Sequence, residues 1–519
     1  MEISRVDTAM NTPSIARLDN AGLIARGTGI SVAGLAAYSI LQYLFLVIVA
    51  RALGPIFYGL FNIGLATANV VVPLALIGLN FGLLRYVARY RTLVDAKSET
   101  RLVRGAFLLV TLSGTLVGVS MAFLAQPIAQ FYDHHVSTLA SLLRWFAPTI
   151  PLSAMLILLV SVFYGQKRVA PGVALQKMGQ PALALLFAWS VLWLGAGISG
   201  VIQGYVVSLA LAVLLALYLL RSYFLPASRP TTEPADFSLR EVLGYSLPLV
   251  PVSFMRQFGN RLEIYLLGFL GSATDVAVFS AAAATAAFVV LGLKAILSIY
   301  SALAAELHTA NDLRQLEYQL QMATRWSAAL SLPPLIVIVL FGRDILGLFS
   351  DVFVVGYAAL FAMAAGHFVN AATGPIDATL NMAGHSRLFL LNIVLILALN
   401  VALDWWLIPL WGITGAAVGS ALALTALNLA LTFEVQLLLG IRPYSLQLLR
   451  PLLAGGLTAL VIWPTLVLLK PFAPLPRILV GSITTGLVYY LLFWIFAPED
   501  ERNVVKLVWL QVKTVVSPS

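Results

Sequence analysis

The sequence predicts an all-α polytopic membrane protein with about fourteen transmembrane helices, and three observations lead to this class. The chain has 519 residues, of which 60% are hydrophobic and only 10% are charged, whereas soluble proteins carry about 25% charged residues. Its mean hydropathy is +0.94. Apolar runs of about 20 residues, the length that one helix needs to cross a bilayer, follow one another along the chain.

The predicted spans are bounded by charged residues, proline or glycine. The connections between them are short, so consecutive helices are expected to be antiparallel neighbours. The polar start of the chain, up to Arg26, does not have the pattern of a cleavable signal peptide. The predicted spans are 28–50, 57–84, 104–126, 140–163, 173–195, 198–220, 242–270, 276–305, 323–341, 353–380, 388–410, 412–439, 447–469 and 477–497.

The distribution of lysine and arginine predicts the orientation of the chain. With the N-terminus in the cytoplasm, 23 of the 31 basic residues fall on the cytoplasmic side, 5 fall outside and 3 fall within the membrane. Cytoplasmic loops are normally enriched in these residues, so both termini are predicted to be cytoplasmic. The net charge of +9 then reflects those loops, and no nucleic-acid partner is expected. The outside set is Arg51, Arg144, Arg343, Lys470 and Arg477.

The chain also repeats itself. GISGVIQG at 197–204 resembles GITGAAVG at 412–419, with an offset of 215 residues, and LGP at 53–55 is placed like LGS at 270–272, with an offset of 217. GQKR at 165–168 matches GHSR at 384–387 with an offset of 219. A nearly constant offset indicates a duplicated unit of six helices. Because six is even, both copies enter the membrane in the same direction, which is the arrangement that encloses a central, alternately accessible cavity.

These features divide the chain into two lobes and several flanking segments. Each lobe is predicted to hold six helices, and two further helices follow the second lobe. The predicted segments are a cytoplasmic N-terminal segment at 1–26, the first lobe at 27–221, a cytoplasmic linker at 222–241, the second lobe at 242–440, two additional helices at 441–497 and a cytoplasmic tail at 498–519.

Several motifs resemble those of the polysaccharide transporter, or oligosaccharide flippase, family of the MATE-like superfamily. They are ARALGPIFYGLF at 50–61, LIGLNFGLLRYVA at 76–88, RLEIYLLG at 261–268, LNMAGHSR at 380–387 and NVALDWWLIPLWGITGAAV at 400–418. The resemblance covers about residues 27–440. One departure from the family pattern is Glu263, where an aspartate is more usual.

The resemblance implies both a fold and a function. The fold is a V-shaped, MATE-like pair of six-helix lobes, and the two added helices resemble the fourteen-helix members. The function is a flippase that moves a lipid-linked oligosaccharide on a polyprenyl pyrophosphate carrier to the outer leaflet, for cell-surface polysaccharide such as O-antigen or exopolysaccharide. The implied location is the prokaryotic cytoplasmic membrane. The implied partners are the bilayer, the lipid-linked substrate and a polysaccharide polymerase or glycosyltransferases.

Charged residues inside the seventh predicted span need a reason, because each costs about 2.5–3.5 kcal/mol at the centre of a bilayer. On a continuous helix Arg256, Asn260 and Glu263 share one face, and Lys294 falls at a similar depth on the next helix. One interpretation is a structural ion pair of Arg256 or Lys294 with Glu263, and another is snorkelling to an interface. The third is a cationic cavity, in which Arg256, Arg261, Lys294 and Asn260 bind phosphate oxygens. The excess of cations favours this cavity.

Other polar residues have both structural and functional interpretations. Arg51 and Arg85 match family motif positions and are candidates for a gate or a headgroup contact, although terminal arginines are common at membrane interfaces. Asp377 follows Gly374 and Pro375, so it is a candidate for coupling in a broken helix or for capping that helix. Asp404, beside Trp405 and Trp406, is expected near the outer interface.

The sequence gives no reason to expect an enzyme, a metal or a cofactor. It has no cysteine and no phosphate-binding lysine loop, so ATP hydrolysis is not expected. The acid–histidine group at 133–135 lacks a third ligand at a recognised spacing. A polymerase or ligase needs a long external loop with catalytic residues, and every predicted external connection is short.

The alternative function is a cation- or proton-coupled small-molecule or drug exporter of the MATE type. Such an exporter needs a titratable carboxylate in its cavity. The first six predicted spans contain no Asp or Glu, and Asp95, Glu99 and Asp133 are expected in loops. The sequence therefore favours the flippase, while passive scrambling stays open because no motif identifies an energy source.

Overall fold

A computed structural model describes residues 15–93, 95–132, 135–223, 238–310 and 312–496. Within these ranges the regular structure is helical throughout and no strand occurs. The predicted all-α class is therefore confirmed. The predicted cytoplasmic segments at 1–26, 222–241 and 498–519 lie wholly or partly outside the described residues.

The first half of the chain contains nine α-helices and one π-helical turn, Ala174–Gly179, which joins α7 to α8. Their bounds are α1 Ile15–Leu76, α2 Leu79–Thr92, α3 Ala96–Phe123, α4 Ala125–Gln130, α5 Val136–Phe146, α6 Thr149–Gly165, α7 Val169–Val173, α8 Gln180–Trp193 and α9 Gly197–Tyr223.

The second half continues with twelve α-helices and two short 3-10 turns, Asp351–Gly356 and Leu446–Leu448. The helices are α10 Leu239–Ser246, α11 Leu249–Gly259, α12 Leu262–Leu270, α13 Ala273–Ala286, α14 Leu291–Thr309, α15 Leu313–Gly347, α16 Tyr357–Thr373, α17 Ile376–Met382, α18 Ser386–Leu439, α19 Leu449–Ile462, α20 Thr465–Leu469 and α21 Pro474–Phe496.

Eight of the described helices are long and apolar enough to cross a membrane, or nine if α13 and the start of α14, bent by 54°, count as one span. Two of the eight are too long for one crossing, with apolar stretches of 46 and 52 residues, whereas about 20 residues suffice. Both are kinked where a glycine has a positive φ, at Gly54 in α1 and Gly412 in α18. Each is therefore expected to contain two spans, and the total of fourteen stays a prediction.

The helices of each half pack mainly against one another, and a smaller set joins the halves. In the first half α6 contacts α2, α3 and α9, and in the second half α16 contacts α15 and α18. The halves meet where α1 packs against α13, α11 and α14, and where α2 packs against α10. The added helices α19 and α21 lie against α15. The lobe boundaries and the duplication stay predictions.

The two halves touch closely near the Gly54 kink. At Gly59 a Cβ atom would overlap the carbonyl of Ala273, so only glycine allows this approach of α1 to α13. Nearby, the hydroxyls of Tyr43 and Thr285 are 3.1 Å apart and share a hydrogen bond. The ring of Tyr58, which is fully buried, packs against Phe353. This end of the interface between the halves is therefore closed.

Candidate functional site

The seventh predicted span is not one helix. Helix α11 ends at Gly259, Asn260 forms its C-cap, and Arg261 has a φ of −125° and a ψ of 5° before α12 begins at Leu262. The prediction that Arg256, Asn260 and Glu263 share one helical face is therefore wrong. Because of this break the charged side chains have different neighbours. Arg256, Lys294 and Glu263 therefore lie in three different sites.

Arg256 lines a cavity of about 190 Å³ between the two halves. The cavity walls come from α1 and α2, from α6, and from α11. Within the described chain Arg256 forms no ion pair, and its side chain is exposed. The other polar residues that line the cavity are Asn69, Asn80, Ser153, Ser253 and Gln257. Arg256 is thus the single charged residue among the apolar and neutral polar residues that line the cavity.

A second cationic site surrounds Tyr38 of α1. The Nζ atom of Lys177, in the π-helical turn, lies 4.9 Å from the centroid of the Tyr38 ring. Lys177 and Lys294 are close enough for their charges to repel each other, and Arg261 interacts electrostatically with Tyr38 and with Tyr205 of α9. None of the three cations forms an ion pair with a described carboxylate. We call Tyr38, Lys177, Arg261 and Lys294 the cation cluster.

Lys177 is the member that the sequence analysis missed. Its position near the start of the fifth predicted span made it one of the cytoplasmic lysines. The structure extends this helical segment backwards to Val169, which places Lys177 about two helical turns from its start. A signal was present in the sequence, because Lys177 lies nine residues beyond the GQKR segment at 165–168 and within the predicted span 173–195, which is too deep for a loop residue.

Glu263 lies in a polar cluster within the second half. Its Oε1 atom accepts hydrogen bonds from Asn400 Nδ2 at 3.0 Å and from Ser420 Oγ at 2.6 Å, both in α18. Neither Arg256 nor Lys294 pairs with Glu263 among the described residues. The ion-pair interpretation of the three charges is therefore wrong. The Glu263 contacts span 137 and 157 residues of sequence, so no local pattern indicated them.

Asp404 belongs to the same cluster and is fully buried. The neighbouring Trp405 and Trp406 are exposed, and the position of Asp404 near the outer interface stays a prediction. Neither carboxylate oxygen of Asp404 accepts a hydrogen bond from a described residue, and Asp404 and Glu263 repel each other electrostatically. A Cβ atom at Gly419 would overlap Asp404 Oδ1. We call Glu263, Asn400, Asp404 and Ser420 the acidic cluster.

The acidic cluster requires a compensating positive charge. Two carboxylates that share a buried site cannot both stay ionised without a nearby cation, and a buried charge without a partner is costly. Asn400 Oδ1 is also buried without a hydrogen-bond donor among the described residues. These oxygens could accept a proton or coordinate a small cation.

Asp377 and the candidate arginines have simpler surroundings. Asp377 lies in the first turn of α17, which begins at Ile376 after the break at Gly374 and Pro375, and backbone N–H groups of Asp377 and Ala378 lie near its carboxylate. An acidic side chain in this position stabilises the N-terminus of a helix. Arg51 is exposed close to the Gly54 kink.

Arg85 takes part in a contact that joins the halves at the end of α2. Its guanidinium carbon lies 4.6 Å from the centroid of the Tyr245 ring of α10. Glu241, at the start of α10, accepts hydrogen bonds from Tyr86 at 3.1 Å and from Arg89 at 3.3 Å. A Cβ atom at Gly78 would overlap the carbonyl of Ser246, so the backbones are in close contact here as well. We call Arg85, Tyr86, Arg89, Glu241 and Tyr245 the latch.

Of the two remaining acidic candidates, Glu99 differs from its prediction and Asp133 lies outside the described residues. Glu99 was expected in a loop, but it is buried in the first turn of α3, where it accepts hydrogen bonds from Gln166 at 2.7 Å and from Arg91 at 3.3 Å. Asp133 and His134 lie outside the described residues. Within the described ranges, no three His, Cys, Asp or Glu side chains are grouped as metal ligands.

A comparison with family models identifies the relationship of this chain to known proteins. The model of the polysaccharide biosynthesis proteins matches residues 24–303, which is more than half of the chain. The chain belongs to the polysaccharide biosynthesis protein family. This family match includes the cation cluster, the Arg256 cavity and the latch. A sequence comparison with curated proteins gives no match.

Solved structures with the same fold are transporters of the MATE-like superfamily. The lipid II flippase MurJ in an inward closed conformation gives a TM-score of 0.67 at 15% identity, over 93% of this chain and 99% of MurJ. An inward-facing multidrug resistance MATE transporter of the MOP superfamily gives 0.63 at 16% identity, over 79% of this chain and 98% of that chain. A mutant of the Vibrio cholerae MATE transporter VcmN gives 0.60 at 14% identity, over 82% and 98%.

These similarities confirm the predicted family and the MATE-like fold. The chain is an integral membrane protein of the polysaccharide biosynthesis family, built on a fold that it shares with MurJ and with MATE transporters.

Proposed function

We propose that this protein is a flippase that carries a lipid-linked oligosaccharide, on a polyprenyl pyrophosphate, from the cytoplasmic to the outer leaflet by alternating access. The product would feed cell-surface polysaccharide synthesis by a polymerase or by glycosyltransferases. The family match and the shared fold with the lipid II flippase MurJ support this class of function.

The observation that carries the proposal is the cation cluster. Lys177 comes from the first half of the chain and Lys294 from the second, and Arg261 follows the break between α11 and α12. Cations that repel one another inside a membrane protein are stabilised when an anion binds between them. Lysine and arginine are the side chains that bind phosphate oxygens best. A pyrophosphate is an anion with the charge and the oxygen atoms for this site.

The location of the cluster between the halves supports an alternating mechanism. A ligand held by residues of both halves links their relative movement to its own binding. In the described state the halves touch near the Gly54 kink and again at the latch. We infer that the latch is the inner gate and that it must open for the lipid headgroup to enter. Arg85 would then serve as a gate residue.

The acidic cluster is the proposed coupling site. When a proton or a small cation binds to Glu263 and Asp404, it removes their mutual repulsion. Glu263 belongs to α12, which follows the break directly, so a change at Glu263 is transmitted to Arg261 over two residues. Binding of a cation in the second half could thus shift the cation cluster. Asp377, in its capping position, is assigned no coupling role.

The alternative is a cation-coupled drug exporter of the MATE type, supported by the MATE structures. In this chain the first lobe between residues 28 and 93 contains no Asp or Glu. A cationic drug would also meet the positive charges of the cation cluster. The flippase is therefore the better supported function. The proposed location is the cytoplasmic membrane of a prokaryote, with both termini in the cytoplasm, because of the distribution of lysine and arginine.

Mass spectrometry of lipids that co-purify with the protein tests the proposed function. We expect a polyprenyl pyrophosphate glycolipid to accompany the wild-type protein and to be lost from the Lys177→Ala/Lys294→Ala double variant. Lys470→Ala, an exposed lysine outside the cluster, is the matched control and should retain the lipid. Co-purification of the same lipids with all three proteins would contradict the proposal.

A further inference from the structure

Helix α3 carries three cations on one exposed face at its N-terminal end. Lys97, Arg101 and Arg104 are four and three residues apart, so they point in nearly the same direction, and all three are exposed. None of them forms an ion pair with a described carboxylate. Their charges therefore remain available to an anion that approaches α3 from outside the protein.

The acidic residues of the same segment are withdrawn from this face. Asp95 and Glu99 are both buried. Asp95 accepts a hydrogen bond from the backbone N–H of Ser98 at 3.0 Å. Glu99 accepts hydrogen bonds from Gln166 at 2.7 Å and from Arg91 at 3.3 Å. These carboxylates have partners inside the first half, so they do not neutralise the exposed cations of α3.

Further along α3 the same face becomes apolar. Leu108, Leu112 and Leu116 continue it at intervals of four residues, and their exposed fractions are 60%, 60% and 68%. The buried residues of α3 lie on its other side, where the helix packs against α1, α2 and α6. One face of α3 therefore combines a basic end with an apolar track. We call Lys97, Arg101, Arg104 and these three leucines the α3 face.

The length of α3 places its cations at the level of the lipid headgroups. Its 28 residues extend about 42 Å at a rise of about 1.5 Å per residue, whereas the hydrocarbon core of a bilayer is about 30 Å thick. With Phe123 at one border of the hydrocarbon, the other border falls near Arg104. Arg101 and Lys97 then lie among the headgroups, and the leucines of the α3 face lie among the acyl chains.

We propose that the α3 face binds an anionic phospholipid. Arg101 and Arg104 hold its phosphate, because a guanidinium can bind two phosphate oxygens at once, and Lys97 adds a third positive charge. One acyl chain lies along the leucines. In the predicted orientation this lipid belongs to the cytoplasmic leaflet, whose anionic lipids attract basic residues beside a membrane span. The α3 face shares no residue with the cation cluster, so the inference does not depend on the proposed function.

Native mass spectrometry of the purified full-length protein tests the inference. The protein is titrated with phosphatidylglycerol and with phosphatidylcholine that has the same acyl chains but no net charge. Wild-type protein should bind its first phosphatidylglycerol more tightly than phosphatidylcholine. Lys97→Gln/Arg101→Gln/Arg104→Gln should weaken this first binding step about hundredfold, because each basic residue near a membrane surface contributes about fivefold.

The control variant removes the same charge from three separated positions. Lys167→Gln/Arg221→Gln/Arg314→Gln changes three exposed cations that belong to different elements on the same predicted side of the membrane. It should bind phosphatidylglycerol as wild type does. All six substituted side chains are exposed, so the size-exclusion profiles of both triple variants should match that of wild type.

Competition experiments identify the occupant of the α3 face. Glycerol phosphate, which has a phosphate but no acyl chain, should not displace the first phosphatidylglycerol, and a polyprenyl pyrophosphate at equal concentration should not displace it either. Displacement by the first would indicate a site for soluble phosphates, and displacement by the second would indicate a site for the transported lipid. Either result would overturn the inference. It would also be overturned by equal affinities of the two triple variants, or by a wild-type protein that does not prefer phosphatidylglycerol.

Discussion

Lys177 of the first half and Lys294 of the second half are close enough for their charges to repel each other. Lys177 also lies 4.9 Å from the centre of the Tyr38 ring, whose π face attracts a cation. This contact holds the Lys177 ammonium in place without neutralising it. The two lysines therefore form a site prepared for an anion, and its occupancy would bring the halves together.

Neutralising either lysine should reduce substrate binding without weakening the fold. Charge-assisted hydrogen bonds contribute about 1.5–3 kcal/mol each, so Lys177→Ala or Lys294→Ala should lower affinity for a polyprenyl pyrophosphate about ten- to hundredfold. Thermal stability should stay the same or rise, because a repulsive pair is removed and functional sites often cost stability. Isothermal titration calorimetry with the lipid and thermal unfolding of each variant test this prediction. A fall in stability with unchanged affinity would mean that the lysines hold the helices together.

Neutralising Asp404 should remove a cation dependence of stability. In the wild-type protein, a cation at one hundred times its dissociation constant should stabilise the fold by about 2.7 kcal/mol. Asp404→Asn should be stable without the cation and should not respond to it. Thermal unfolding in sodium chloride and in choline chloride, each at several pH values, measures the effect.

The control for this experiment is Asp344→Asn. Asp344 pairs with Arg477 at 2.9 Å, away from the acidic cluster, so this variant should keep the wild-type response to cations and pH. If wild-type stability depends on neither sodium nor pH, or if both variants respond alike, the acidic cluster is not the coupling site.

Weakening the latch should open the inner side of the cavity. Glu241→Gln removes an ion pair whose members are each about half exposed, 57% and 51% for Arg89 and Glu241, and weakens the hydrogen bond from Tyr86. An exposed ion pair contributes little to the stability of the closed latch, and a hydrogen bond contributes about 1 kcal/mol. The population with an open latch should therefore rise several-fold. Because the chain has no cysteine, a single cysteine introduced by Gln257→Cys reports on access.

The latch experiment uses inverted membrane vesicles, in which the cytoplasmic side faces the reagent. A water-soluble maleimide should react several-fold faster with Gln257→Cys when Glu241→Gln is also present. Glu306→Gln, an exposed glutamate of α14, is the control and should leave the rate unchanged. Equal labelling rates for Gln257→Cys alone, with Glu241→Gln and with Glu306→Gln would show that the latch does not limit access to the cavity.

The predicted orientation can be tested with two further single cysteines. Lys97→Cys lies on the predicted cytoplasmic side and Gln130→Cys on the predicted outer side, and both positions are exposed. In intact cells an impermeant maleimide should label position 130 only, and it should label both after permeabilisation. Labelling of position 97 in intact cells, with protection of position 130, would reverse the topology.

Much of the fold could be predicted from the sequence because the bilayer imposes a simple rule on it. Long apolar segments must be helical, since no water is available for unpaired backbone groups. The kinks also had sequence signals: Gly54 precedes Pro55, and Gly412 follows Pro409 by three residues. The family resemblance added the MATE-like arrangement, which hydropathy cannot provide.

The site was only partly predictable because its members interact over long distances in the sequence. The break after Gly259 interrupts a segment whose residues would continue a helix, so Arg256 and Glu263 were assigned to one face. The partners of Glu263 lie in α18, more than 130 residues away. The burial of Asp404 beside the exposed Trp405 and Trp406 was also not predicted, because adjacent residues on a helix point in different directions.

A flipping assay in liposomes tests the central claim most directly. The purified protein is reconstituted with a fluorescent polyprenyl pyrophosphate disaccharide in both leaflets, and a glycosidase that cannot cross the membrane is added outside. Wild-type protein should expose the inner-leaflet pool, so that digestion passes beyond the outer-leaflet fraction, whereas the Lys177→Ala/Lys294→Ala variant should stop at that fraction, as protein-free liposomes do. Digestion by wild-type liposomes that stops at the outer-leaflet fraction, or proceeds equally in the double variant, would contradict the account.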